Sequence, residues 1–449
     1  MTLDPGVFKA YDVRGVYPTE LDEEGAYAVG RAHVEEFEPK AIAVGRDMRT
    51  HAETMTEAVI AGARDAGADV VDIGMVGTEM LYFAVGELDL DGGIIVTASH
   101  NPKQYTGMKI VRRGARPVGG DSGLLAVRDR ATAGFGPAHG TGTLETRDLY
   151  ADWSKRVLSF IDLSVVKPLH VIIDAANGMG GAMLPPLLEQ LPIDAATHHF
   201  EPDGTFPHHE PNPLLPENRQ FIIDTVRAEG ADLGLAFDGD ADRCFFVDDL
   251  GEFVPGDFVT ALLAEAVLAR DPGATILYDV RASWAVTDVV EAAGGTALIN
   301  RVGHAFIKKR MRETGAAFAG EVSGHYYFRD YYQADSGMIP ALLMLELISK
   351  RGQPLSEILE PYRSRYFLSG ELNTDVPDVA LKLQEIKERY GQQGELSHLD
   401  GISVTADNWH MNVRPSNTEP LLRLNLEARS RELMESMRDD VLGTMRGDG

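Results

Sequence analysis

The chain has 449 residues, 44% hydrophobic and 25% charged, with a formal net charge of −27 at pH 7; at ~150 residues per domain it holds three domains or four, each able to bury a core. So acidic a chain lacks the positive face that nucleic acid or an anionic membrane requires, and no run approaches the roughly 18 apolar residues of a membrane span. One cysteine, Cys244, forbids an intramolecular disulfide, and the N-terminal segment around Lys9, Asp12 and Arg14 lacks the apolar stretch of a signal peptide, so a soluble, cytoplasmic chain is expected.

One predicted unit recurs along the chain: a short apolar strand, a polar or glycine-bearing loop, an amphipathic helix, then Gly-Ala or Gly-Gly and a further strand. The first copy runs from Ala41-Ile-Ala-Val-Gly-Arg-Asp through a helix over 52–66 to Asp69-Val-Val-Asp-Ile-Gly. The second starts at His170-Val-Ile-Ile-Asp and enters a helix over 180–191, with the Gly/Pro/His-rich segment 201–216 as a long loop. The third starts at Thr275-Ile-Leu-Tyr-Asp and passes a helix over 284–293 to Thr296-Ala-Leu-Ile-Asn. Strand–helix–strand repeats mean parallel or mixed sheets with helices on their faces. Beyond a helical stretch at 378–390, strands over 402–406, 409–414 and 421–427 and a helix over 430–445 predict a different, antiparallel α+β unit. The expected division is three similar mixed α/β domains, 1–144, 145–250 and 251–365, and a smaller C-terminal α+β domain, 366–449.

Four motifs carry possible chemistry. In Gly93-Ile-Ile-Val-Thr-Ala-Ser99-His100-Asn101-Pro102 an apolar strand ends in a serine and Asn-Pro forces a turn, which puts Ser99 where ligands of α/β sheets gather. A loop serine that merely satisfies local backbone would read the same. A nucleophile elbow does not fit, since Thr97 and Asn101 stand where its glycines belong. In Phe237-Asp238-Gly239-Asp240-Ala241-Asp242-Arg243 three carboxylates repel one another unless a divalent cation compensates. An EF-hand fails, because Arg243 and Asp249 replace its glycine and glutamate. A haloacid-dehalogenase-type phosphatase would want Thr or Val where Asp242 stands.

Gly320-Glu321-Val322-Ser323-Gly324-His325 is expected as an extended segment that turns Glu321, Ser323 and His325 to one side, suiting a sugar ring. Arg414-Pro415-Ser416-Asn417-Thr418-Glu419-Pro420 joins two strands; it is turn chemistry or a phosphate cradle with a forked arginine donor. Asn177-Gly178-Met179-Gly180-Gly181-Ala182-Met183 misses the last glycine of a dinucleotide fingerprint, and His208-His209 more readily shapes a Pro-rich loop than binds metal.

In order and wording, Lys9-Ala-Tyr-Asp-Val-Arg14-Gly15, Thr97-Ala-Ser-His-Asn-Pro102, Asp238-Gly-Asp-Ala-Asp-Arg243, Gly320-Glu-Val-Ser-Gly-His325 and the Arg414 motif resemble the signatures of the α-D-phosphohexomutase family over nearly the whole chain. Gly107-Met-Lys-Ile-Val111 and Gly120-Asp-Ser-Gly-Leu124 resemble its bacterial phosphomannomutase branch. The resemblance implies a heart-shaped molecule with one loop per domain meeting in a central cleft, as a monomer or homodimer. It implies a phosphorylated Ser99; Mg²⁺ held by Asp238, Asp240, Asp242 and a phosphoserine oxygen; and a hexose 1,6-bisphosphate as intermediate and primer. Arg14, Lys109 and Arg243 would supply compensating cations. Lys109 and His325 would move protons, with His100 and His304 in support. Arg281, His304, Glu321, Ser323, His325, Arg414, Ser416, Asn417, Thr418 and Arg423 would bind the hexose phosphate. The implied reaction interconverts mannose 6-phosphate and mannose 1-phosphate, with glucose phosphates also open. A glucosamine-phosphate mutase and a metal-dependent sugar-phosphate phosphatase are the alternatives.

Overall fold

The computed structural model describes residues 3–138, 140–416 and 421–447. They divide into two compact units, Met1–Val254 with Ser323–Leu355, and Pro255–Val322 with Ser356–Gly449. No helix among the described residues is long and apolar enough to cross a membrane.

The first unit contains two mixed sheets. In one, the strands Ala41–Arg46, Asp69–Met75 and Gly92–Val96 are parallel, and Tyr105–Arg112 turns back antiparallel on Gly92–Val96. Val13–Val16 extends that edge antiparallel to Tyr105–Arg112. The helices Glu23–Phe37 and Ala52–Asp65 pack through Val29, Ala32, Met55 and Val59 onto the buried face formed by Ile42, Val44 and Ile94; full burial of each such aliphatic side chain is worth about 1.5–3 kcal/mol. Asp22 starts the first of these helices by accepting from the Gly25 amide at 2.9 Å. The second sheet runs in the order Cys244–Val247, Leu233–Phe237, His170–Asp174, Asp194–His198, parallel except for the Leu233–Phe237/Cys244–Val247 hairpin. A small hairpin, Tyr326–Phe328 with Ala334–Asp335, and the buried helix Met338–Arg351 complete this unit. The helix expected over 180–191 is two short turns instead, Gly180–Met183 and Pro185–Leu188, because Pro185 and Pro186 bring no amide hydrogen to a continuous ladder.

The second unit holds a parallel trio, Thr296–Asn300, Thr275–Asp279 and Phe318–Gly320. It also holds an antiparallel sheet in the order Phe367–Asp375, Leu421–Ala428, Trp409–Pro415, Ile402–Thr405, Glu395–Ser397. The two outer strands, Phe367–Asp375 and Glu395–Ser397, were not among the expected elements: half-exposed, they lack the continuous apolar run that marks a strand in sequence. The helices Val379–Tyr390 and Arg431–Arg446, capped by Asp378 and Ser430, cover the core built on Val404, Met411, Val413, Leu422 and Leu424.

The loop 201–216 is pinned to the carboxyl end of a strand by histidines. Buried Asp174 accepts from His199 Nδ1 and His209 Nε2, both at 2.9 Å, and from the Ala176 amide at 2.9 Å. His208 pairs with Asn177 and stacks on His199. Burial pushes the Asp174 carboxyl up, but the two imidazole hydrogen bonds win and hold it at about 2 against an ordinary 3.8. A carboxyl with a depressed folded value stabilises the fold above its ordinary range and loses that contribution as pH falls through about 2. Asp174→Asn should therefore cost about 2 kcal/mol of unfolding free energy near neutral pH. Denaturant titrations should show the deficit shrinking from about pH 4 to about pH 2.

Candidate active site

Ser99 follows the strand Gly92–Val96 in a left-handed conformation, φ +50°, which a serine holds only when its surroundings impose it. The surroundings here are side chains that grip the loop's backbone. Arg49 donates through Nη2 to the carbonyls of Ser99 (2.9 Å) and Asn101 (2.6 Å), and through Nη1 to those of Pro102 (2.9 Å) and Tyr105 (3.1 Å). Asp47 pairs with Arg49 behind it. Arg14 donates to the Ala98 carbonyl at 2.6 Å and to Asn101 Oδ1. The Thr97 hydroxyl accepts from the Ser99 amide at 2.9 Å.

The aspartate loop lies against the serine loop, with Ala241 at φ +57° completing its curl. A Cβ at Gly239 would stand 2.4 Å from the Ser99 carbonyl oxygen, so only glycine permits this approach. One carboxylate oxygen from each of Asp238, Asp240 and Asp242 lies within 4.8 Å of the others, all three side chains being buried. The Ser99 hydroxyl donates to Asp238 Oδ2 at 3.2 Å and its Oγ is 3.1 Å from His100 Nδ1. Arg243 Nε reaches Asp238 at 2.7 Å. Lys109 Nζ, from the strand beyond the serine loop, reaches Asp240 at 2.6 Å and Asp242 at 2.5 Å. Thr78 Oγ1 donates to Asp240 Oδ2 at 2.5 Å. Asp240 Oδ1 and Asp242 Oδ1 are buried with no hydrogen-bond partner. Hard, anionic, converging and partly unsatisfied, this donor set fits a divalent cation.

Electrostatics follow from the crowding. Burial works against ionisation of each aspartate; at Asp240 the adjacent Lys109 ammonium outweighs it and holds the carboxyl low. Asp242, buried beside the Asp240 charge, is pushed well above its ordinary range, and Asp238 is raised by burial despite Arg243. Burial alone would depress Lys109, but Asp240 and Asp242 more than offset it and raise it. Burial, then Arg243 and Arg14, keep His100 well below the ordinary imidazole value, so it is neutral. The same unit contributes Ser323 and His325, whose Oγ and Nδ1 are 3.1 Å apart, with His325 Nε2 3.7 Å from Asp242 Oδ1.

The second unit carries a cationic cluster. Arg281, Arg414 and Arg423 all contact the carboxylate of Glu371, at 3.3, 2.9 and 2.8 Å. Buried Glu321 accepts from the Gly303 amide at 2.8 Å, holding the turn that leads into the helix His304–Thr314. The Ser416 hydroxyl accepts from Arg423 Nη2 at 3.5 Å. Asn417 and Thr418 lie outside the described residues.

Two expectations change. The segment 321–325 is a turn rather than an extended strand, with Gly324 at φ +85°, so alternate residues do not share a face; Glu321 belongs to the second unit, Ser323 and His325 to the first. Arg14 grips the serine loop and Asp12 rather than the aspartates, which leaves Lys109 and Arg243 as their direct cationic partners. Sequence reading missed Arg49, Thr78 and Glu371. The first two follow the strands Ala41–Arg46 and Asp69–Met75, at the sheet edge where Ser99 also lies, and that position was the available signal.

A serine held against a buried carboxylate triplet, with fixed cations beside it, defines a phosphoryl-transfer enzyme. Models of the phosphoglucomutase/phosphomannomutase alpha/beta/alpha domains I, II and III match residues 5–130, 150–251 and 255–366, and that of its C-terminal domain matches 371–444. The chain is 43% identical over 443 residues to the phosphohexose mutases of Xanthomonas campestris pv. campestris, covering 98% of this chain and 99% of that one. It is 44% identical over 434 residues to the phosphomannomutase of Escherichia coli K12, covering 94% of each. A crystal structure of a phosphoglucomutase/phosphomannomutase family protein from Burkholderia thailandensis superposes with a TM-score of 0.90 at 34% identity, covering 98% of this chain and 97% of that one. The chain belongs to the phosphoglucomutase/phosphomannomutase family, with its three α/β domains and C-terminal domain, and is an isomerase of the phosphohexomutase type.

The Gly239–Ser99 approach yields a sharp expectation. Gly239→Ala must part the two loops by about 1 Å, a misplacement that costs on the order of a hundredfold in rate. Steady-state assays of hexose phosphate interconversion should show that loss in kcat, with thermal unfolding close to wild type.

Proposed function

We propose that the protein interconverts mannose 6-phosphate and mannose 1-phosphate through a phosphorylated Ser99 and a hexose 1,6-bisphosphate, accepting glucose phosphates as well. The observation that carries this reading is the Ser99 hydroxyl lying 3.2 Å from Asp238 within a buried aspartate triplet that two cations already brace. The mannose preference is supported by relatives at 42–44% identity that are phosphomannomutases. The family is metal-dependent; here Asp238, Asp240, Asp242 and an oxygen of phosphorylated Ser99 would hold Mg²⁺. When bound, the ion polarises the phosphoryl group and offsets charge on its oxygens.

The loose transition state of phosphoryl transfer asks for in-line positioning and fixed charge. Arg49 and Arg14 supply the first by clamping the serine loop; Lys109 and Arg243 supply the second. A free sugar hydroxyl forms its oxygen–phosphorus bond as the Ser99 oxygen–phosphorus bond breaks, the hydroxyl proton is taken up by a neighbouring base, and Ser99 Oγ regains a proton. The bisphosphate then turns, and its other phosphate returns to Ser99 by the reverse step. Lys109 and His325 share the proton transfers, with His100 and His304 in support. Arg281, Arg414, Ser416, Asn417, Thr418 and Arg423 hold the phosphate that is not reacting, while Glu321 and Ser323 bind ring hydroxyls. Domain boundaries near 144, 250 and 365, a cytoplasmic location and a monomeric or homodimeric state complete the proposal.

Ser99→Ala should abolish interconversion of mannose phosphates, and intact-mass measurement should find one phosphate on the wild-type chain at Ser99 after incubation with hexose 1,6-bisphosphate. Full activity in the alanine variant would end the reading. Release of inorganic phosphate in place of the isomer would identify a phosphatase. Arg414→Ala should raise KM for the hexose phosphate at least tenfold while leaving metal affinity, read by calorimetry, unchanged.

A further inference from the structure

The three arginines assigned to phosphate already have an anion. Glu371, on the strand Phe367–Asp375, receives Nη1 of Arg281 and Nη2 of Arg414 on Oε2, and Nη1 of Arg423 on Oε1. Asp279 holds Arg281 from the other side, accepting from Nε at 2.9 Å and Nη2 at 2.8 Å. Nε of Arg414 and Nε of Arg423 are buried with no hydrogen-bond partner, so the cluster keeps donors that Glu371 does not use.

Charge counting shows what Glu371 does to a ligand. Among the groups in direct ion pairs, three guanidinium groups against the carboxylates of Asp279 and Glu371 leave one positive charge, which the nearby Glu321 carboxylate reduces further, short of the roughly −2 of a phosphate monoester at neutral pH. With Glu371 neutral, the cluster would gain a full positive charge and come closer to balancing that dianion. A strand designed only to brace arginines could use an uncharged acceptor; a carboxylate also competes with whatever anion arrives.

We infer that Glu371 is a built-in competing anion that loosens the arginine trio's hold on phosphate, so that the bisphosphate can let go and turn between its two transfers. This rests on the mutase reading, in which one set of arginines must grip two different phosphates within a single turnover. Binding a ground state too tightly at that point would slow the reaction it serves. Glu371 is thus a positioning residue, acting through Arg281, Arg414 and Arg423.

The test is a calorimetric titration of the full chain with inorganic phosphate, which needs no turnover. Glu371→Gln keeps the side-chain length and one acceptor while removing the charge, and it should bind phosphate about tenfold more tightly than wild type. The gain should vanish in the Glu371→Gln/Arg414→Ala double variant. Glu371→Asp, which keeps the charge, should bind within about twofold of wild type. In mannose phosphate interconversion the glutamine variant should show lower KM and lower kcat together, a split that lost scaffolding alone would not produce. Glu371→Ala supplies an independent arm: added acetate should weaken its phosphate binding and leave wild type unmoved. Phosphate affinity in the glutamine variant equal to or weaker than wild type, at an unchanged melting temperature, would overturn the proposal, as would indifference of the alanine variant to acetate. A wild-type chain without mutase activity whose glutamine variant still binds phosphate more tightly would sink the mutase reading and with it the turning of the bisphosphate, and would leave standing only the competition between Glu371 and phosphate.

Discussion

The first unit is organised around a concentration of negative charge that the fold must tolerate. Asp238, Asp240 and Asp242 are buried and converge to within 4.8 Å, and at that separation each ionised pair repels by about 3 to 4 kcal/mol even with an effective dielectric constant of 20. Nothing in the hairpin that carries them relieves this except Arg243. Relief comes from elsewhere in the sheet order: Lys109 on Tyr105–Arg112, and Thr78 at the start of the helix that follows Asp69–Met75, both end on Asp240. The repulsion is thus offset by an ammonium from a neighbouring sheet and a hydroxyl from the start of a helix, together with the loop's own Arg243. The oxygens that these partners leave unsatisfied mark where a further cation belongs.

The serine loop meets the same demand with backbone instead of charge. To bring Ser99 beside Asp238 the chain adopts a left-handed φ, and the carbonyls that this exposes are collected by one guanidinium, that of Arg49, in four hydrogen bonds. Gly239 then removes the last steric obstacle. Each device is ordinary, and together they fix the Ser99 hydroxyl beside Asp238.

In the second unit the sign reverses. Arg281, Arg414 and Arg423 would repel one another as the aspartates do, and Glu371 and Asp279 play the part that Lys109 and Arg243 play in the first unit. Burial and the charge of Arg281 lower Arg414, while the three arginines hold the Glu371 carboxyl at about 2. Both units thus leave a deliberate imbalance of charge, negative in one and positive in the other.

Much of this was legible without coordinates. The α/β periodicity predicted the strands at 41–46, 69–75, 170–174, 275–279 and 296–300, because each is a short, largely apolar run that enters or leaves an amphipathic helix through a glycine or polar turn. Ser99, the aspartate triplet and the Arg414 motif stood out as candidates because each is a cluster of polar groups contiguous in sequence. The split of 180–191 was also present in Pro185-Pro186, which only needed weighing. The strand Phe367–Asp375 was not legible, since its half-exposed positions carry no apolar run, and with it Glu371 was invisible as a site residue. Arg49 and Thr78 escaped for a related reason: their partners, Ser99 and Asp240, stand far along the chain, and only the order of strands brings them within 3 Å. The sequence by itself therefore determined the candidate motifs, the family they belong to and the layers that carry them, because those follow from local pattern and residue type. Which charge balances which, and what holds the serine in its strained pose, was decided by tertiary structure alone, because a hydrogen bond between distant residues leaves no periodicity to read.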